Sequence, residues 1–277
     1  MKLYYRKLFA VVSLGCVLFQ LTCGGLEERT NLSEAAAEFG SAVLEYSLVW
    51  DTEELQRNET GQWELSNELG TSIRLNRGYL STYSVQLVEC PAGESVALKW
   101  FNRLFGLRMA YAGHPNPEDN PAGVYQSVVE NLMEMENRTV GVVDVEPNSY
   151  CQLHYLVAGA NEETSSLPQD VNMLGTSVYL EGSYNVSGSE EWTPFLIHTP
   201  LANGVLNNLF ADFEDQENST AMELQTSGEA LLIQVERRLA GFFNGLDFPG
   251  MTASELERQV LRNIVNHTES TVTRLLP

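Results

Sequence analysis

Residues 71–90, TSIRLNRGYLSTYSVQLVEC, constrain the fold more than any other stretch of the chain. Ile73, Leu75, Tyr79, Tyr83, Val85 and Leu87 fall on one parity, and Arg74, Asn76, Ser84 and Gln86 on the other. Side chains of a strand alternate between faces, so this is the period-two pattern of an extended segment with one face buried. Leu80 and Val88 break the parity, and Gly78 marks a place for a bulge. Two strands or one long bent strand fit the pattern. Further strand candidates are SAVLEYSLVW (41–50), TVGVVDV (139–145), SYCQLHYLVAG (149–159), TSVYLEGSYNV (176–186), EWTPFLIHT (191–199) and ALLIQVERR (230–238). EPNS (146–149) supplies the turn chemistry between two of them.

Helical signals are fewer. NPAGVYQSVVENLMEM (120–135) offers Asn120 as N-cap and Pro121 at the first helical position, with Val124, Val128, Leu132 and Met135 on one stripe. VALKWFNRLF (96–105) is a weaker helix. Near the C-terminus Thr252 and Glu255 make a T-x-x-E capping box, followed by Leu256, Val260 and Ile264 at helical spacing. Between the last predicted strand and this helix, GFFNGLDFPG (241–250) crowds Phe242, Phe243, Leu246 and Phe248 among glycines, which predicts burial of at least two of them. Parallel βαβ alternation is absent. The expected fold is mainly β, an antiparallel β-sandwich with a few helical insertions and a C-terminal helix, over a single domain spanning 39–277.

The first residues read as an address. Lys2, Arg6 and Lys7 form a positive region before an apolar stretch from Leu8 to Leu21, which is the layout of a secretory signal and short for a membrane span. Cys23, followed by Gly24 and Gly25, stands where a bacterial lipid anchor attaches, and the segment resembles a lipobox. Gln20 and Thr22 depart from that pattern. Cleavage at Cys16 instead would leave Val17, Leu18 and Phe19 exposed. The expectation is a signal peptide over 1–23, lipid on Cys23, and a polar tether over 24–38.

The chain carries 16 Lys and Arg against 37 Asp and Glu, for a net charge of −21. Such a surface repels phosphate backbones and anionic lipid, so nucleic acid is not an expected partner and the membrane is reached through the anchor alone. With 43% hydrophobic and 19% charged residues, the composition is that of a globular protein rather than of a disordered acidic tail. Export places Cys90 and Cys151 in an oxidising compartment, where a disulfide between them is expected. It would close a loop of about 60 residues and constrain the unfolded chain by about 4 kcal/mol. Asn31, Asn58, Asn137, Asn185, Asn218 and Asn266 open Asn-x-Ser/Thr sequons, which keeps a eukaryotic secreted glycoprotein open beside the favoured bacterial reading.

Catalytic signatures are missing: the sequence has no G-x-S-x-G, H-E-x-x-H, phosphate loop or C-x-x-C. His114, His154 and His198 are scattered singly, so a metal site needs the fold to gather them. Copper is the metal considered, with Met133 and Met135 as further soft donors. The acidic stretch DFEDQEN (212–218) lacks the glycine and distal glutamate of a calcium loop and reads as a solvated loop.

WELSNELGTSIRLNRGYLS (63–81), GHPNPEDNPAGVYQSVVENLM (113–133), NSYCQLHYLVAG (148–159) and GFFNGLDF (241–248) resemble segments of bacterial lipoproteins of the deltaproteobacterial type. The overall layout is also similar to MbnP-like periplasmic copper-binding proteins, and that likeness assigns no ligand residue. Three functions compete: a non-enzymatic envelope protein with a binding or structural role, a periplasmic copper accessory protein, and an enzyme whose site is assembled from distant residues.

Overall fold

The computed structural model describes residues 41–53, 55–90, 120–187, 189, 191–211, 222–224 and 229–275. Fifteen strands, one 3-10 turn and one helix make up the described fold. In chain order the strands are β1 (Ala42–Asp51), β2 (Gln56–Arg57), β3 (Trp63–Ser66), β4 (Ser72–Glu89), β5 (Gly123–Val124), β6 (Val128–Asn131), β7 (Arg138–Val145) and β8 (Ser149–Val157). There follow β9 (Val178–Asn185), β10 (Thr193–Thr199), β11 (Asn203–Asn208), β12 (Phe210–Ala211), β13 (Met222–Glu223) and β14 (Ala230–Arg238). The 3-10 turn (Leu239–Phe243) leads to α1 (Ala253–Asn266) and β15 (Thr268–Leu275).

Two sheets face each other across a continuous apolar core. The smaller has the order β12-β15-β14-β1-β7. Its centre is a parallel pair, β1 on β14, so a strand near residue 41 is locked beside one near residue 230, with β2 to β13 between them in sequence. The larger, ten-stranded sheet is organised by β4. Along one edge β4 pairs first with β9 and then with β8; along the other it meets β3, β6 and β5 in turn. EPNS turns the chain from the smaller sheet (β7) into the larger (β8).

β4 is one continuous strand, and its parity breaks have a physical cause. Its register slips against β9 between Leu75 and Arg77, and against β8 between Thr82 and Ser84. Each slip adds one residue and turns the following side chains over. Ile73 and Leu75 enter the main core, then Leu80, then Val85 and Leu87. Tyr79, on the opposite face, packs with Val129, Ala160 and Met173 in a smaller cluster. The irregularity foreseen at Gly78 therefore sits on either side of it, while Gly78 itself lies tight against the Leu132 side chain.

The helix expected over 120–135 is not formed. The segment folds as β5 and β6 along β4, with Thr82 opposite Val128 and Leu80 opposite Glu130. A spacing of four residues is even, so Val124, Val128 and Leu132 share a face in a strand as well as on a helix, and all three are buried. Val129 is buried on the other face, which erases the alternation that would have identified a strand. Asn120 caps a turn by accepting from the Ala122 N–H at 3.0 Å. The segment 96–105 lies outside the described residues.

The later helix forms as its capping box requires. Thr252 N–H donates to Glu255 Oε2 at 2.8 Å, and Glu255 N–H to Thr252 Oγ1 at 3.4 Å. These bonds hold the exposed Glu255 carboxyl below its usual range. Val260, Leu261, Ile264 and Val265 enter the core. The chain continues into β15, so α1 is not the last element. Phe242, Phe243, Leu246 and Phe248 are all buried. Phe248 stacks on Tyr184 with ring centroids 4.6 Å apart, and Trp50 meets Phe242 at 6.0 Å.

Candidate functional site

The most unusual side chain of the fold is Arg237, fully buried on β14 at the parity of Leu231, Ile233 and Val235. A charge in that position needs an opposite charge and full hydrogen bonding, because removing an ion from water costs several kcal/mol. Glu130 on β6 supplies both. Its carboxylate takes the guanidinium in a two-pronged contact, Arg237 Nη1 to Oε2 at 2.5 Å and Nη2 to Oε1 at 2.7 Å. Trp50 Nε1–H donates to Oε1 at 3.2 Å and the Thr82 hydroxyl to Oε2 at 2.9 Å. The guanidinium carbon lies 4.2 Å from the Trp50 ring centroid, and Arg237 Nε donates to the Val49 carbonyl at 3.3 Å. Burial works against the Arg237 charge, but the Glu130 carboxylate outweighs it and the proton is held more firmly than usual. Burial likewise pushes the Tyr155 phenol up and keeps it neutral beside Thr82, whose hydroxyl oxygen is 3.0 Å away. The network draws on β1 and β14 of one sheet and β4, β6 and β8 of the other, so it bolts the sandwich together at its centre.

Above Glu130 opens a cleft of about 330 Å³, lined among others by Tyr79, Glu134, Glu136, Arg138, Ser166 and Asp170. Tyr79 donates to Asp170 Oδ1 at 2.8 Å, and Arg77 approaches the same carboxylate at 3.4 Å. Burial and the bond to Asp170 push the Tyr79 phenol up to about 12, so it stays a hydrogen-bond donor. Arg138 donates to Ser166 Oγ at 3.1 Å. Met135 and Ser166 are the two non-glycine residues with positive φ among the described residues, at 50° and 60°. One stands between Glu134 and Glu136 and the other lines the cleft, so both unusual backbone conformations shape this wall. The cleft offers carboxylate acceptors, one guanidinium and one neutral phenol. That set suits a polar ligand rich in hydrogen-bond donors.

The residues expected from sequence fall elsewhere. Cys90 directly follows β4 and Cys151 lies in β8; their sulfurs are bonded at 2.07 Å with Cα atoms 4.9 Å apart. His154 is buried on β8, with Nδ1 2.8 Å from Gln86 Nε2. That amide is itself held by Tyr125 and Asn120, and burial lowers the His154 pKa. His198 on β10 meets the Thr176 hydroxyl at 2.7 Å and the Tyr179 ring edge-on. Each of these two imidazoles is thus engaged by a different polar neighbour. His114, Cys23 and the acidic stretch 212–218 lie outside the described residues. Among the described residues no three His, Cys, Asp or Glu side chains gather as a metal site. Met135 is buried in the main core and Met133 packs against it.

The sequence reading missed Arg237 and Glu130. Arg237 carried a signal, its odd parity beside Leu231, Ile233 and Val235. Glu130 carried a weaker one, a lone acid between Val129 and Leu132. No protein-family model, curated protein or solved structure matches the chain.

Proposed function

We propose that the protein is an exported binding domain of the cell envelope, anchored through lipid on Cys23, with no catalytic role. The Cys90–Cys151 bridge is the observation that supports this reading most. It ties the end of β4 to β8 beside the Glu89–Tyr150 pair, and such a bond persists in oxidising compartments and not in a reducing cytosol. The apolar run before Cys23 supplies the route out, and a net charge of −21 holds the domain off anionic lipid while the tether keeps it near the membrane. No helix among the described residues is long and apolar enough to cross a membrane. The cleft at Tyr79 and Asp170 then serves solutes outside the cytoplasm. Growth with a clickable fatty acid tests the anchor. The wild-type chain is expected to be labelled and to sediment with membranes, and Cys23→Ser to be unlabelled and released. Equal labelling of the two overturns the proposal.

A further inference from the structure

Two lips frame the cleft above Glu130. One is the turn 131–138, where the Glu134 and Met135 N–H groups donate to the Asn131 carbonyl and send the chain back towards β7. The other is the segment 165–170, tied to β6 where Ser165 bridges to Val128 and the Val129 N–H donates to the Ser165 carbonyl at 3.0 Å. At one end of the cleft Arg138 Nη1 donates to Ser166 Oγ at 3.1 Å. At the other, the Glu134 and Asp170 carboxylates both act on the Tyr79 phenol, which donates to Asp170 at 2.8 Å. The lips therefore pass each other in opposite directions. Glu136 lies between Glu134 and Arg138 in sequence and also lines the cleft.

The charges along this cleft are held apart rather than paired. Among the described residues Arg138 forms no ion pair, and neither does Glu134 or Glu136. Arg138 is half-buried, and beyond the contact with Ser166 its guanidinium donors have no protein partner among those residues. Asp170 is fixed in place by Tyr79 and by Arg77 at 3.4 Å. Three carboxylates against Arg77 and Arg138 leave a single negative charge in excess. Carboxylates alone would suit any cation. The open guanidinium at the far end adds a seat for an anionic group, and the two seats face one solute.

We propose that this cleft binds a free basic α-amino acid, with its carboxylate on Arg138 and Ser166, its α-ammonium at Glu136 and its side-chain cation between Glu134 and Asp170. A guanidinium fork matches a carboxylate through two parallel hydrogen bonds, and ionised carboxylates only accept, which suits ammonium or guanidinium donors. A basic amino acid carries one carboxylate and two cations, so its net charge is opposite to that of the cleft. The volume of about 330 Å³ falls within the roughly 300–1,000 Å³ of small-ligand sites. The net charge of −21 draws a cationic solute towards the domain and repels acidic ones. This names the solute class for the cleft and rests on its reading as a binding site.

The test uses the full chain in a zwitterionic detergent at low salt, titrated calorimetrically with L-lysine, L-arginine, cadaverine, agmatine and L-glutamate to about 10 mM. L-Lysine or L-arginine is expected to bind saturably. Cadaverine and agmatine lack the carboxylate and should bind at least about tenfold more weakly, and L-glutamate not at all. Arg138→Gln should weaken binding of the amino acid at least about tenfold with an unchanged melting temperature, and leave that of the amines as it was. Absence of binding by both basic amino acids, equal binding by the amines or by L-glutamate, or undiminished binding by Arg138→Gln overturns the proposal. Should Arg138→Gln fail to fold, the exposed Glu134→Gln decides, and undiminished binding there overturns it. A chain unlabelled at Cys23 that still binds the amino acid loses the anchor alone, whereas a labelled chain that binds none loses this site alone.

Discussion

Two buried regions hold this sandwich together by opposite means. At its centre, Arg237 and Glu130 form an ion pair satisfied by Trp50 and Thr82 and bridging both sheets. At one end, Phe242, Phe243, Leu246 and Phe248 fill the core from a single short turn, and polar groups serve only to position the backbone. Asn67 Nδ2 donates to the carbonyls of Phe243 and Leu246 at 3.3 and 3.0 Å, and Asn263 Nδ2 to those of Phe242 and Asn244 at 3.0 and 2.6 Å. Gly245, at φ +69°, permits the reversal between them. The aromatic turn stabilises by area removed from water. The ion pair offsets a desolvation penalty and contributes position more than net energy. Losing half of each should therefore have different consequences.

The largest expected effect is at the ion pair. Glu130→Ala leaves the Arg237 charge buried without its partner and should cost about 3–5 kcal/mol in urea unfolding. The double change Glu130→Leu with Arg237→Met should recover most of that loss, since both ions leave together. A double variant no more stable than the single would show that the pair is worth more than its desolvation and would collapse the contrast. At the aromatic turn Phe243→Ala should cost a similar 3–5 kcal/mol through a cavity, and no second apolar truncation should restore it.

A smaller effect separates packing from positioning within the turn. Asn67→Ala takes the donor from the Leu246 carbonyl, leaves the Phe243 carbonyl with the Leu246 N–H alone, and should cost about 1–3 kcal/mol. Asn67→Asp keeps an acceptor for the N–H groups of Leu69 and Thr71, at 3.1 and 3.0 Å, but loses both donations, so it should be no better. If Asn67→Asp matches the wild type in thermal melting, the clamp on residues 241–248 is not what orders them.

The smallest effect is one of pH, at His154. Its ring is packed against Gln86 from β4 and against Gly204 from β11, with Leu206 opposite, and burial lowers its pKa below the usual 6.5. The unfolded chain then binds the proton more readily than the folded one. The contribution is complete above pH 6.5 and declines as pH falls below it towards the folded value. His154→Gln should flatten this part of the stability profile, just below pH 6.5. An unchanged slope would place the acid sensitivity elsewhere.

The aromatic turn was visible in the sequence because its residues are contiguous, and α1 because its capping box is local. Strand alternation was legible wherever one face met solvent, as in β1 and β14. It failed at β6, where Val128 and Val129 are buried on opposite faces and a spacing of four residues fits helix and strand alike. The parity breaks in β4 announced that something interrupted the strand, and the neighbours β8 and β9 decided where. Local chemistry thus determined the β-rich class, the capped helix and the buried aromatic turn, because propensity, capping and apolar period act within a few residues. Only the tertiary structure decided that Arg237 and Glu130, 107 residues apart, share one buried contact. The same holds for the meeting of Arg138 with Ser166 across the cleft and for the separate settings of His154 and His198. Which side chains meet depends on strand order and register, and those follow from how the whole chain buries its apolar faces.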